Sequence, residues 1–339
     1  MFLHIFLLVI IFSQYLFSIT IATNSSTISY QILPFIRVYK NRTVERLLGT
    51  KTVPPSLDPE TRVRSRDIQI STNPNISARI YWPDNANYKL PLLVYFHGGA
   101  FFTESAFSPT YHNFSNSLVA IANITVLSVN YRLAPEHHLP IAYKDSWRAL
   151  KWVFYHHKNN NNSDEAIIWL TKYVDFGKVY IGGDSAGGNI AHNMAMRAGL
   201  DKMGRVVLNG MFLNCPHFWG VKRIGNESTF RKSDRAGVEG IWVHAYPNSK
   251  GSDDPLMNPR KDPNINKLGC KNVLVYVAEL DIYKDRGLDY GKMLNESKWN
   301  GDIRVVEVKG ENHVFNLNHP GTAKAKAMLH DVAKFLNQG

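Results

Sequence analysis

The chain reads as an α/β protein in which a mostly parallel central sheet is flanked by helices. Three observations predict this. Short, continuous apolar runs rich in β-branched residues recur along the sequence, as expected of strands buried on both faces of a parallel sheet. Segments with apolar residues at helical spacing alternate with them. One run ends in a glycine-flanked serine that opens a helix, "VYIGGDSAGGNIAH" over 179–192, a strand-to-helix turn that suits a doubly wound sheet. No repeat of fixed period is visible.

Residues 1–22, "MFLHIFLLVIIFSQYLFSITIA", are almost continuously apolar, with Thr20 and Ala22 where a signal peptidase would cut. The segment carries His4 but no Lys or Arg. It reads as a cleaved secretory signal, with a retained membrane anchor as the alternative. The eight N-x-S/T sequons at Asn24, Asn41, Asn75, Asn113, Asn123, Asn161, Asn226 and Asn295 agree with a secretory route, to the apoplast or the vacuole.

A polar, loop-like stretch follows the leader, and alternating apolar residues on both sides of an Asn/Pro turn then predict a hairpin over 66–83. Strands are expected at 90–96, 124–134, 178–183, 272–281 and 302–310. Helices are expected at 146–157, with Trp147, Leu150, Trp152, Val153 and Phe154 mainly on one side, at 189–200 and at 322–338. Residues 156–165, "HHKNNNNSDE", form a polar low-complexity loop. An aromatic-rich insertion over 216–262 breaks the alternation and reads as a lid over the carboxyl edge of the sheet.

The formal charge is +11, but the lysines and arginines are scattered, and no zinc-ligand spacing, basic stripe or RNA-binding signature accompanies them. That argues against a nucleic-acid partner. Cys215 and Cys270 are the only cysteines, so the chain is not a disulfide scaffold. Each borders an apolar segment and is read as a buried thiol, with one bridge as the alternative.

Ser185 lies in Gly183-Asp184-Ser185-Ala186-Gly187, a G-x-S-x-G pattern between a strand and a helix. A nucleophile elbow needs that context, because the tight turn projects the hydroxyl and small flanking residues avoid collisions. A phosphate-binding loop would need a lysine after the last glycine, where Gly188 and Asn189 stand instead. A serine nucleophile needs a base and an orienting acid. In the α/β-hydrolase fold these follow in the order Ser, Asp or Glu, His. "AELD" ends a strand at Asp281, and "GENH" presents His313 after the last one. Glu279 and Asp285 are the nearby carboxylates that compete with Asp281 for the acid role. "FHGGAF" over 96–101 follows a strand, so the amides of Gly98 and Gly99, with that of Ala186, are candidates for an oxyanion hole, and His97 is read as bracing the loop.

With "HGGAF", "GDSAGGN", "NYRLAPEHHLP", "AELD" and "GENHVF" in place, the chain resembles the plant carboxylesterase family, in the hormone-sensitive-lipase-like branch of the α/β hydrolases. The likeness runs from about residue 30 to the end. It implies an oxyanion hole at His97, Gly98 and Gly99, a triad of Ser185, Asp281 and His313, and an N-terminal cap over 23–70 ahead of a catalytic domain over 71–339. The third motif glycine is Ala100 here. In "YRLAPEH", Arg132 and Glu136 are read as a buried structural pair. The resemblance implies hydrolysis of carboxylic esters of small or medium acyl chain, with a small-molecule ester as partner and no metal or organic cofactor. Relatives that dehydrate hydroxyisoflavanones, form alkaloids or make lactones supply the alternative. A receptor-like role is disfavoured by His313, since the gibberellin receptors of this fold lack the histidine. Membrane association is expected only if the leader is retained.

Overall fold

The computed structural model describes residues 27–158, 164–201 and 206–338. The leader at 1–22, Asn24 and Asn161 lie outside the described residues. Among the described residues no helix is long and apolar enough to cross a membrane.

The chain divides into two units between Leu48 and Gly49. The N-terminal unit carries a three-stranded antiparallel sheet of β1 (Ile28–Ile32), β2 (Ile36–Tyr39) and β3 (Val44–Arg46), in that order. Ile32, Ile36 and Val38 are its buried side chains. Its second turn is set by Asn41, whose Oδ1 accepts from the Thr43 amide at 3.0 Å.

The large unit is built on eight strands: β4 (Val63–Thr72), β5 (Asn75–Pro83), β6 (Leu90–Phe96), β7 (Thr125–Asn130), β8 (Val174–Asp184), β9 (Gly210–Asn214), β10 (Asn272–Ala278) and β11 (Asp302–Val308). Their order across the sheet is β11-β10-β9-β8-β6-β7-β5-β4. β4 and β5 form the expected hairpin, but β4 already begins at Val63. The expected boundary at residue 70 therefore falls inside a strand of the large sheet, in which Val63 and Ser65 are buried on one face and Ile68 and Ile70 on the other.

β5 is antiparallel to both neighbours, whereas β6 to β11 pair in parallel. That direction places the carboxyl ends of β6, β8, β9, β10 and β11 along one edge, where ligands bind in open α/β sheets.

Helices cover both faces: α1 (Pro109–Ala122), α2 (Ile141–Lys158), α3 (Glu165–Tyr173), α4 (Ala186–Leu200), α5 (Lys232–Ala245), α6 (Lys284–Glu296), the single turn α7 (Phe315–Asn318) and α8 (Ala323–Leu336). On one face Leu93, Tyr95, Tyr180, Phe212, Leu274 and Tyr276 pack with Phe114 and Leu118 of α1 and Met328, Val332 and Phe335 of α8. Burying aromatic and aliphatic side chains of this size contributes about 1.5–3 kcal/mol each.

The aromatic-rich insertion fills the span between β9 and β10 and carries α5 with several 3₁₀ turns. A buried ion pair fixes it to α6: Arg286 Nε donates to Glu227 Oε1 at 2.5 Å, and its Nη2 donates to Glu227 Oε2 at 2.9 Å and to the Lys222 carbonyl at 2.7 Å. Cys215 and Cys270 are both buried and unbridged. Arg132 binds Asp145 in a fork at 2.8 and 2.7 Å, while Glu136 is exposed, so the buried partner is Asp145 and not the expected Glu136.

Candidate active site

β8 stops at Asp184 because the chain turns at once into α4. Ser185 occupies the turn with φ 49° and ψ −118°, a conformation that L residues rarely adopt. Three backbone bonds hold it there. Its N–H donates to the Asn214 carbonyl at 2.9 Å, and its carbonyl accepts from the amides of Asn189 at 3.1 Å and His217 at 2.9 Å. The flanking glycines are a matter of space: a Cβ on Gly187 would strike the Phe96 carbonyl, and one on Gly183 would strike the backbone of Gly187. Both sides of the G-x-S-x-G pattern thus follow from the close approach of β6, β8 and α4.

His313 comes from the loop after β11 and Asp281 from the loop after β10. His313 Nδ1 lies 2.7 Å from Asp281 Oδ2, and Nε2 lies 2.9 Å from Ser185 Oγ. A carboxylate only accepts, so the proton sits on Nδ1 and Nε2 is left to accept from the serine hydroxyl. Asp281 is buried, and its Oδ1 accepts from the Tyr283 amide at 3.1 Å. The competing acids are engaged elsewhere. Glu279 Oε2 accepts from the Gly310 amide, and Asp285 Oδ2 from the Asn226 amide.

Burial pulls the His313 imidazole down, but the charge and hydrogen bond of Asp281 outweigh it and leave the ring above its ordinary 6.5. Two neighbouring histidines behave in the opposite way. Burial pushes His97 down to about 4 and His217 down to about 3, so both are neutral rings at physiological pH.

The oxyanion loop after β6 differs from expectation in one respect. The Gly98 amide is already bonded, to Tyr111 Oη at 2.8 Å and to Asp184 Oδ1 at 3.1 Å. It is therefore part of the scaffold and not a donor to substrate. Gly99, Ala100 and Phe101 follow with φ 99°, 56° and 67°, and left-handed backbone of this kind can turn successive N–H groups into an anion-binding nest. Among the described residues no acceptor is recorded for the amides of Gly99, Ala100 and Ala186. His97 braces the loop: Nδ1 lies 2.8 Å from the Gly98 carbonyl, and its ring stacks on Tyr131 at 4.2 Å, while Tyr131 Oη donates to the His97 carbonyl at 2.6 Å.

Sequence reading passed over Asp184 and Tyr111. Asp184 is fully buried between the elbow and the oxyanion loop and accepts from Tyr95 Oη at 2.9 Å and Tyr111 Oη at 3.0 Å. Burial raises its carboxyl from 3.8 to about 6, against the two tyrosines. The signal was present as an acid in the middle of an apolar strand-helix turn, where only a satisfied group is tolerated. Among the described residues, Cys215, Asp281 and His313 are the set whose ligand-type atoms lie close enough to hold a metal, within 4.8 Å of one another. The facing atoms of His313 and Asp281 are already bonded to each other.

Comparison with known proteins agrees with this fold. Residues 93–317 match the family described as "alpha/beta hydrolase fold". The chain is 45% identical over 326 residues to the 2-hydroxyisoflavanone dehydratase of Glycyrrhiza echinata, covering 94% of this chain and 99% of that one. It is 44% identical over 327 residues to the protein named "Probable carboxylesterase 13" of Arabidopsis thaliana, covering 92% and 98%. Among solved structures, an esterase of Pyrobaculum calidifontis is similar with a TM-score of 0.67 and 27% identity, over 80% of this chain and 84% of that one. The chain belongs to the plant carboxylesterase family, in the hormone-sensitive-lipase-like branch of the α/β-hydrolase fold.

Proposed function

We propose that this serine carboxylesterase works through Ser185, His313 and Asp281 on esters of small or medium acyl chain. Ser185 Oγ attacks the ester carbonyl while His313 Nε2 takes its proton and passes it to the departing alcohol. Asp281 holds the Nδ1–H tautomer and offsets the charge of the imidazolium. The amides of Gly99, Ala100 and Ala186 receive the negative oxygen of the tetrahedral intermediate, each worth about 10²–10³ in rate. Water, activated by the same imidazole, then releases the acid from the acyl-serine. The observation that carries the reading is the unbroken chain from Ser185 Oγ to Nε2 at 2.9 Å and from Nδ1 to Asp281 at 2.7 Å. A fluorophosphonate probe is expected to label Ser185 and to leave Ser185→Ala unlabelled and inactive on p-nitrophenyl acetate. An adduct on any other residue overturns the assignment, and an ester panel of rising acyl length tests the size preference.

Dehydration is the second reading, favoured by the 45% identity to a 2-hydroxyisoflavanone dehydratase. The serine at 185 with an intact histidine and acid supports the hydrolase. Comparing ester turnover with formation of eliminated or lactone products separates the two.

We assign the protein to the secretory pathway on the strength of its leader and sequons. Asn41, Asn75, Asn113, Asn226 and Asn295 are exposed and available to a glycan, whereas Asn123 is half-buried and donates to Tyr88 Oη. Endoglycosidase treatment of protein from a secreting host should lower its mass, and the mature N-terminus should lie near Ala22. An unglycosylated chain that retains residues 1–22 excludes the cleaved-signal reading.

A further inference from the structure

Cys215 lies at the same sheet edge as the catalytic groups, one residue beyond β9, between the strand that carries the nucleophile and the strand that carries the acid. Its amide donates to the Tyr276 carbonyl at 2.8 Å, and the residue is 1% exposed. Its φ is 45°. A cysteine gains nothing from left-handed backbone, which costs about 1–3 kcal/mol and persists where the surroundings impose it, often at functional sites. Here it accompanies a thiol whose sulfur lies within 4.8 Å of both a carboxylate oxygen of Asp281 and a ring nitrogen of His313.

Asp281 is buried, yet its side chain receives only two other recorded donors among the described residues, the Tyr283 amide on Oδ1 and His313 on Oδ2. An ionised carboxylate offers about four acceptor positions. We propose that Cys215 is a positioning residue for ester hydrolysis, its thiol donating a hydrogen bond to the Asp281 carboxylate and holding that carboxylate toward His313. Burial and the negative charge of Asp281 both push the thiol well above its usual range, so it remains S–H, a donor and not a nucleophile. No covalent step involves it. Sulfur is a weak donor, which fixes the carboxylate without draining the charge that supports the imidazolium.

This inference rests on the assignment of Asp281 and His313 as the acid and base. Its test uses the full chain, with Cys215→Ala to remove the donor and Cys215→Ser to replace it by a stronger one. Loss of the bond should lower kcat on p-nitrophenyl acetate about tenfold in Cys215→Ala, with KM little changed, and Cys215→Ser should recover most of that loss. The pH profile of kcat/KM carries the signature. Without a donor Asp281 holds more charge and the acid limb moves to higher pH. With a hydroxyl donor it moves to lower pH. The low-field proton resonance of His313 Nδ1–H should also shift between the variants.

Opposite displacements of the two limbs support the proposal. Limbs that stay at the wild-type position in both variants, or move together, overturn it and leave Cys215 as packing. Should Cys215→Ala not fold, the limb of the near-isosteric Cys215→Ser still decides. Fluorophosphonate labelling of Ser185 in each variant keeps the two ideas apart, because failure of the triad assignment shows as labelling elsewhere and failure of this inference does not.

Discussion

Replacing Asp184 by Asn tests the clamp between the nucleophile turn and the oxyanion loop. Asp184 is 2% exposed and is held by Tyr95, Tyr111 and the Gly98 amide. Burial dominates its titration and raises the carboxyl from 3.8 to about 6. A carboxyl raised by folding binds its proton more tightly in the native state than in the unfolded one. Its contribution to stability is therefore complete below 3.8 and is lost as pH rises through about 6. A span of about two units corresponds to about 3 kcal/mol. Asp184→Asn has no such titration, and whatever the amide costs in lost acceptors does not change with pH. The melting temperature of wild type minus that of the variant should therefore fall between pH 4 and pH 7, by roughly 6–9 °C at roughly 2–3 °C per kcal/mol for a domain of this size. Melting curves by near-ultraviolet circular dichroism at several pH values measure it. A difference that stays flat across the range refutes the reasoning, since it would mean that Asp184 keeps its charge in the fold without penalty.

The remaining expectations concern the base, the insertion and the loop. Ester hydrolysis should rise with pH through a midpoint above 6.5, because only the neutral His313 accepts a proton and Asp281 holds that ring above its ordinary value; a profile flat from about pH 5 to 8 contradicts it. Glu227→Ala should destabilise by about 3–5 kcal/mol, measured by urea unfolding, because Arg286 would be left buried at 7% exposure against a partner that is itself fully buried. Glu227→Gln should cost less, since the amide still accepts from the guanidinium. Gly98→Ala should lower kcat by about 10² or more, because the new methyl would meet the Asp184 carboxylate and stand 3.0 Å from Tyr111 Oη. Wild-type turnover in that variant would show that the loop does not depend on the clamp.

Much of this was legible in the chain because parallel strands are uniform. Leu90–Phe96 and Val273–Ala278 are apolar throughout, since both faces are covered. The gathering of Ser185, Asp281 and His313 was legible for the same reason: the three residues follow strands whose direction sends all of them to one edge. β9 was missed because five residues, "GMFLN", are too few to set a period. α6 was missed because "KDRGLDYGKMLNE" is polar and carries two glycines that weaken its helical signal. Those glycines are there for packing, because a Cβ on Gly287 would meet Val277 and one on Gly291 would meet Val305. The unbonded amides of the loop after β6 begin at Gly99, one residue later than expected, for a related reason. Which amides turn inward depends on left-handed backbone at Ala100 and Phe101, residue types whose identity gives no hint of it.

Ala100, Phe101, Ser185, Cys215 and Val314 all have positive φ, between 45° and 67°, and each lies in a segment that leaves the carboxyl end of β6, β8, β9 or β11. Strain of about 1–3 kcal/mol at each residue would relax if the loops were free. They are not free: backbone bonds tie Ser185 to Asn214, Cys215 to Tyr276, Phe101 to the Ala134 amide and Val314 to the Leu317 amide of its own turn. The ties of Ser185 and Cys215 end on β9 and β10, strands buried on both faces, so moving either turn means opening the core. Preorganised donors are worth most when they need not rearrange as charge develops. The stiff parallel sheet is what lets this chain hold a serine, an imidazole and a nest of amides in conformations that none of them would keep alone.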